Sequence, residues 1–398
     1  MDSNINKLAE PKRSTKTTER RRPAPVHRII ETSTIYAMHE GSHTLVNPLG
    51  GGAEECQGKV NQYQIIKDIG SGAYGRVVLC RNEQDSRYYA CKIISKSRLR
   101  KKFRWSQSLP VRGGSAGSGS GSSGINDHLG SIKREVAILK KLSKHPNINA
   151  LVEVLDDGKE DNLYMIFELC EYGPIMKLQM RQSVNPLSEE LARTYFRDVV
   201  LGIEYLHYKR IIHRDIKPEN LLLKAAAPFG IVQIADFGIS NMFEDGEEEP
   251  IVDDKNSSPL FTPPEACESK SDTRQLRGYA MDIWALGVSL YCLTHGRAPW
   301  EDESVVLLYE KIASGALDIC DDLSPNLKDL LTRMLRKNPD ERISLQDVKQ
   351  HPWTTKDGTD PMLPTEENCV FEEVTEEEVE NAFQPAMMFV TKVRGWSR

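Results

Sequence analysis

The chain has 398 residues, 39% hydrophobic and 28% charged, with a formal net charge of -6. That is the balance of a folded protein with one large or two ordinary domains plus tails, and its acidic sign argues against general nucleic-acid binding. Eight scattered cysteines without a CxxC pair give no support to zinc or thioredoxin-like sites. No apolar run is long enough to span a bilayer, and no signal-peptide pattern opens the chain. Reduced thiols in the cytoplasm, with the nucleus as a second compartment, are the expectation.

In chain order, residues 1–60 are polar, rich in Pro, Ser, Thr and Arg, and basic between 12 and 28. They read as a disordered tail. "YQIIKDI" (63–69), "GRVVLC" (75–80) and "YYACKII" (88–94) are β-rich runs at hairpin spacing. Residues 97–130 read as a flexible insert, and "GGSAGSGSGSSG" at 113–124 has the composition of a coil. It resembles a designed spacer; natural low complexity is the alternative. Either way the longer loop costs little, because closure entropy grows only logarithmically.

Next, "SIKREVAILKKL" places Ile132, Val136, Leu139 and Leu142 on one helical face. "LYMIFEL" is again a strand, and "EELARTYFRDVVLGIEYLH" is a long amphipathic helix. The nearly all-apolar "IWALGVSLYCL" must be buried. Strands first and helices later give an α+β fold, a small β-rich lobe on a larger helical one.

Five strings carry chemistry. "IGSGAYGRV" (69–77) fits G-x-G-x-x-G, and its glycines sit between two strands, so a dinucleotide fingerprint is disfavoured. Glycine lets backbone approach phosphate oxygens without a Cβ in the way; a plain glycine hairpin is the bland reading. "YYACK" ends on Lys92, which needs an acidic partner, and "KREVAIL" supplies Glu135 on an inward helical face. "IIHRDIKPENLLL" (211–223) holds His213, Arg214, Asp215, Lys217 and Asn220 between apolar flanks that anchor the loop in short strands. "IADFG" carries Asp236. "TPPE" ends on Glu265, whose expected buried partner is Arg342 in "NPDERI".

All five, in this order, resemble a eukaryotic protein kinase domain over residues 63–353. "VNQYQIIKDIGSGAYG", "YMIFELCEYGPIM", "EYLHYKRIIHRDIKPENLLL" and "ENCVFEEVTEEEVENAF" are similar to the calcium/calmodulin-dependent protein kinase kinases. The resemblance implies a serine/threonine kinase acting on protein substrates, among them other kinases, with ATP and Mg²⁺. Asp215 would accept the proton of the substrate hydroxyl and Lys217 would steady the γ-phosphate. Lys92, paired with Glu135, would hold the α/β-phosphates, and Asn220 and Asp236 would hold metal.

The nucleotide would lie under Ile69, Gly70, Ser71, Gly72, Ala73, Tyr74, Gly75, Arg76 and Val77. Ile69, Val77, Ala90 and Leu222 would sandwich adenine, with Phe167 as gatekeeper and Glu168 and Cys170 as hinge. Arg214 would order the activation segment through Asp254, which stands where many kinases carry a phosphate. Ser257 and Ser258 are the alternative phosphosites, and Ser258 falls where a hydroxyl meets the catalytic Asp. The family pattern at that point is Gly-Thr-Pro; this chain has "SSP".

Residues 354–398 read as a regulatory tail. "TEEEVENAF" opens with a capping box, Thr375 and Glu378, and predicts a short helix. Residues 385–398 present Met387, Met388, Phe389, Val393 and Trp396 beside Lys392, Arg394 and Arg398. They are expected as a basic amphipathic helix suited to calmodulin. A monomer is expected. A pseudokinase scaffold is the competing class, but none of Lys92, Asp215 and Asp236 is missing. A small-molecule kinase is disfavoured by "TPPE", and a tyrosine kinase by Lys217.

Overall fold

The β-rich runs at 63–69, 75–80 and 88–94 fold into consecutive hairpins, because alternation gives each strand one face for a core and one for a cleft. The computed structural model describes residues 58–72, 75–95, 136, 139–142, 144–156, 161–178, 181–225, 230–236, 241–242, 251–252, 258–267, 276–369, 384–385 and 388–389, all within the unit Asn47–Arg398. The strands are β1 (Gly58–Val60), β2 (Tyr63–Gly72), β3 (Gly75–Asn82), β4 (Tyr88–Ser95), β5 (Leu151–Asp156) and β6 (Asn162–Glu168). They lie in the order β5-β6-β4-β3-β2-β1, antiparallel throughout.

Sheet register sorts the side chains. Val78, Cys80, Cys91, Tyr164 and Ile166 lie on one face and, with Val60, Tyr63, Ile65 and Leu155, make a buried cluster. The other face carries Val77, Leu79, Ala90, Lys92, Met165 and Phe167, since Val77 stands opposite Lys92, Leu79 opposite Ala90, and Ala90 opposite Phe167. Part of that second face is covered by the helix that includes Val136 and Leu139. Strand β1 lies inside the stretch read as tail. Three residues carry no periodicity, so only pairing with β2 across Asn61 and Gln62 reveals them.

Helices dominate the described residues after β6, with three small two-stranded sheets among them, as the strand-then-helix order predicts. Helix α1 (Glu189–Tyr208) starts at Ser188, whose hydroxyl accepts from Leu191 N–H, and buries Ala192, Phe196, Val199 and Ile203 at helical spacing. After the short helix α2 (Pro264–Cys267), α3 (Gly278–His295) is buried all round. It ends on Gly296 in the left-handed region (φ 69°); a Cβ there would meet the Val184 carbonyl oxygen at 1.9 Å. Helices α4 (Val305–Ser314) and α5 (Pro325–Met334) follow. Among the described residues no helix is long and apolar enough to cross a membrane.

Residues 354–369, read as the start of the tail, pack on this helical lobe. Arg193 and Arg197 both donate to the Thr354 carbonyl and pair with Asp360, and Asn368 donates to Glu204 of α1. Of the stretch expected as a helix over 385–398, the described residues Pro385, Met388 and Phe389 are extended instead, while 386–387 and 390–398, Trp396 among them, lie outside the described residues. Gln384–Pro385 pairs parallel with β5, and Met388–Phe389 pairs antiparallel with β1, one on each edge of the sheet. Pro385 cannot donate in a helix interior, and exposed sheet edges offer unpaired backbone groups to any extended segment. The insert at 97–130 and the capping box at 375–378 lie outside the described residues.

Candidate active site

Between β7 (Ile211–Ile212) and β8 (Leu221–Leu223), apolar residues on both flanks hold one polar loop. Asp215 is its centre. Its Oδ1 accepts from the Ser258 hydroxyl at 3.0 Å, and Lys217 Nζ donates to both carboxylate oxygens at 3.0 and 2.8 Å. The same ammonium donates to Ser258 Oγ at 2.8 Å. Asn220, in a 3-10 turn begun by Pro218, spends its Nδ2 on Asp215, at 2.8 Å to the carbonyl and 2.9 Å to Oδ2. Its amide oxygen is thereby turned away from Asp215. The structure thus brings together Asp215, Lys217, Asn220 and Ser258, four of the residues expected to share a site.

The loop is anchored from below. His213 is fully buried, bonds the Ala235 carbonyl through Nε2 at 3.1 Å, and takes Asp215 N–H on Nδ1 at 3.3 Å. Burial lowers its pKa, against the pull of the nearby carboxylates. Arg214 sits at φ 69° and Asp236 at φ 62°, conformations costly for residues with a Cβ and found where a site imposes them. What holds Arg214 so is Asp282 on α3, absent from the expected site. Its carboxylate accepts from His213 N–H, Arg214 N–H and His207 Nε2, each at 2.9 Å. Burial pushes the Asp282 carboxyl up, but these donors and the two histidines hold it below its usual range. The signal was there to read: Asp282 is the one charged residue between Gly278 and Thr294.

Across the cleft, Lys92 (12% exposed side chain) reaches Asp236 Oδ1 at 2.5 Å. Its expected partner Glu135 lies outside the described residues, as do Ala73, Tyr74, Asp254 and Ser257. Ile69, Gly70, Ser71 and Gly72 lie on β2, and Gly75, Arg76 and Val77 on β3, pairing back across the loop tip. Gly75 has a second reason to be glycine: a Cβ would meet the Ile93 carbonyl oxygen at 1.9 Å. Arg76 faces Asp68 across an exposed pair at 3.6 Å.

At the hinge, Glu168 pairs its carboxylate with Lys224, and its carbonyl takes one bond from Asn149 Nδ2, leaving a lone pair for a ligand. The Cys170 thiol is buried against Asn149 and Gln233, and burial pushes it up to about 12. Leu222 on β8 bridges to Pro174, which brings the helical lobe under the hinge.

Glu265 and Arg342 form a bidentate pair at 2.8 and 2.9 Å, and Arg342 also donates to the Ala280 carbonyl and lies over Trp284. With Arg342 1% and Glu265 10% exposed, removing one partner strands a buried charge. Glu265→Ala should cost about 3–5 kcal/mol of stability, visible as a lowered thermal midpoint.

The protein kinase domain family matches residues 63–354. A calcium/calmodulin-dependent protein kinase kinase of Caenorhabditis elegans is 42% identical over 81% of this chain and 58% of its own length. A second protein of that description, from Emericella nidulans, is 34% identical over 81% of this chain and 64% of its own. A serine/threonine-protein kinase of Arabidopsis thaliana is 38% identical over 80% of this chain and 71% of its own. The chain spans between 39% and 64% of the length of the first three curated relatives it matches. By its motifs, its two-lobed architecture and these likenesses, the chain belongs to the protein kinase family, among relatives named as serine/threonine kinases.

Proposed function

We propose that this chain transfers the γ-phosphate of ATP to serine or threonine hydroxyls of proteins, and that its substrates are other kinases. The observation that carries the first part is the Asp215–Ser258–Lys217 arrangement: a carboxylate already holds a hydroxyl at 3.0 Å with an ammonium on the same oxygens. A substrate hydroxyl at that carboxylate would be oriented by it. As the oxygen bonds to the γ-phosphorus and the bond to the ADP oxygen breaks, the proton passes to Asp215. Lys217 offsets the charge that moves onto the phosphoryl oxygens. Ser258 is well placed to select the hydroxyl's position, standing one residue before the turn Pro259–Phe261.

The donor set suits Mg²⁺, a hard cation that takes oxygen ligands. Asn220 has its amide nitrogen committed to Asp215, and Asp236 offers a carboxylate, so these two would hold the ion. When bound, it would neutralise phosphate charge. Lys92, on the cleft face of β4, would bind the phosphates, and Val77, Ala90, Phe167 and Leu222 would enclose adenine.

The choice of kinases as substrates rests on the relatives described as kinase kinases. It is tested by offering a panel of catalytically inactive kinases and labelled ATP, with and without Ca²⁺/calmodulin. Label on activation-loop residues of some members supports the reading, and label on none refutes it. Calmodulin binding by 385–398 fits the same relatives. Met388 and Phe389 are paired with Val60 and Lys59, so capture must strip this segment from the sheet. Titrating calmodulin with Ca²⁺ should change tryptophan fluorescence through Trp396. No response at micromolar calmodulin removes this part of the reading. Cytoplasm and nucleus are the proposed compartments.

A further inference from the structure

Beside the hinge, three polar side chains meet in the interior. Asn149 is 6%, Cys170 7% and Gln233 2% exposed. Buried polar groups are tolerated only where they find partners, and these find one another. Asn149 Nδ2 lies 3.1 Å from the Glu168 carbonyl oxygen, 3.2 Å from Gln233 Oε1 and 3.4 Å from Cys170 Sγ. The Cys170 thiol donates to Gln233 Oε1 at 3.3 Å, and Gln233 Nε2 donates to the Pro146 carbonyl at 3.1 Å. The two amides cannot be turned over. Gln233 must offer nitrogen to Pro146, because a carbonyl only accepts, so it offers oxygen to Asn149. Asn149 then faces two acceptors, Gln233 Oε1 and the Glu168 carbonyl, and one nitrogen with two hydrogens serves both.

Backbone bonds already join the segments that bring these side chains together. Asn149 N–H donates to the Ile234 carbonyl and Ile234 N–H to the Asn147 carbonyl, both at 2.9 Å, and Glu168 N–H donates to the Ala150 carbonyl at 2.9 Å. An apolar side chain at 149 would bury as well, with no polar group to satisfy. What the amide adds is a fixed donor on one carbonyl of the hinge.

Position says why that carbonyl matters. Glu168 follows Phe167, and its register partner Tyr89 stands next to Ala90 on β4. Gln233 lies on β9 (Val232–Ile234) opposite Leu222, which would lie against adenine. The three side chains thus touch both the acceptor and the floor of the proposed nucleotide site. A carbonyl oxygen has two lone pairs. Asn149 takes one and so fixes the plane of the Glu168–Leu169 peptide, which leaves the other for a donor in the cleft. Adenine offers such a donor in its 6-amino group, whereas a 6-oxo purine presents an acceptor there. A peptide fixed before binding need not be ordered by the ligand.

We infer that Asn149, held in place by Gln233 and Cys170, is a positioning residue for the nucleotide: it sets the Glu168 carbonyl toward the 6-amino group of adenine and so selects purines that carry a donor at that position. The inference rests on the ATP site proposed above and deepens it. Asn149 acts on the base and not on the phosphates, so its loss should move nucleotide affinity and leave transfer from saturating ATP unchanged.

The test compares the full chain with Asn149→Val and with Gln233→Met. Two nucleotides are used: ATP, and purine riboside triphosphate, which has hydrogen in place of the 6-amino group. Dissociation constants are read by displacement of a fluorescent nucleotide, and kcat from peptide labelling at saturating ATP. The parent should prefer ATP. In Asn149→Val the constant for ATP should rise about 5-fold, the scale of one hydrogen bond, while that for the analogue and kcat stay at parent values. Gln233→Met keeps the volume and leaves Asn149 without its support, so it should move ATP in the same direction by a smaller factor. Both constants come from one protein, so a lower folded fraction cannot imitate a change in their ratio. If Asn149→Val does not fold, Gln233→Met decides by the same ratio. An equal rise for both nucleotides overturns the inference, since the amide would then hold the fold and not the acceptor. No rise for either overturns it too, as does a parent that binds ATP and the analogue alike. A parent that binds neither nucleotide refutes the ATP reading itself, a separate failure seen before any variant is made.

Discussion

Asp215→Asn is expected to leave nucleotide binding intact and to slow phosphoryl transfer by about 10²–10⁴-fold, the usual value of a positioned proton acceptor. The loss has two sources. An amide cannot take the hydroxyl proton at neutral pH. It also presents an N–H₂ group where the structure needs only acceptors: Oδ1 receives Ser258 and Lys217, and Oδ2 receives Lys217 and Asn220. One of those donors must turn away, and Lys217 is the freer. Single-turnover transfer to a peptide, beside titration with a fluorescent nucleotide, separates the two effects. Transfer at the parent rate would remove Asp215 from its proposed role. Loss of nucleotide affinity as well would mean the substitution had disturbed the cleft rather than the chemistry.

The second large effect is expected at a residue that touches no substrate. Asp282→Ala removes the acceptor of three buried donors: the backbone N–H groups of His213 and Arg214, and the His207 ring. Each buried donor left without a partner costs about 1–3 kcal/mol, so a total of at least about 3 kcal/mol and a thermal midpoint lower by roughly 10 °C are expected. The catalytic consequence is separable. Arg214 holds its left-handed backbone between these bonds, and relaxing it moves Asp215, the next residue. Measured well below both melting points, kcat for a peptide should fall about 10²-fold, since displacement of about 1 Å is enough, while KM for ATP stays near its parent value. A folded Asp282→Ala protein with parent kcat would show that the loop keeps its shape without this anchor. Asp282→Asn, which retains one acceptor, should fall between the two.

What could be read directly were local patterns whose physics is local. β-rich composition at hairpin spacing marked the hairpins in 63–69, 75–80 and 88–94, while the register of the folded sheet put Val77, Ala90 and Lys92 on the cleft face. Apolar flanks around "HRDIKPEN" showed a rigid polar loop, because a segment bounded by buried strands cannot wander. Tertiary structure decided the rest, since it depends on partners far apart in the chain. Asp282 is 67 positions from Asp215, and nothing in an otherwise apolar helix tells which backbone its carboxylate will hold until α3 is packed beneath the loop. The helix expected over 385–398 rested on side-chain pattern alone. The structure pairs Met388 and Phe389 with β1 instead, because an open sheet edge offers hydrogen bonds that no reading of those residues in isolation can count. Exposure at Val305, Val306 and Leu307 is likewise a tertiary fact. Leu308 and Ile312 face the core, and the three residues before them are left to water.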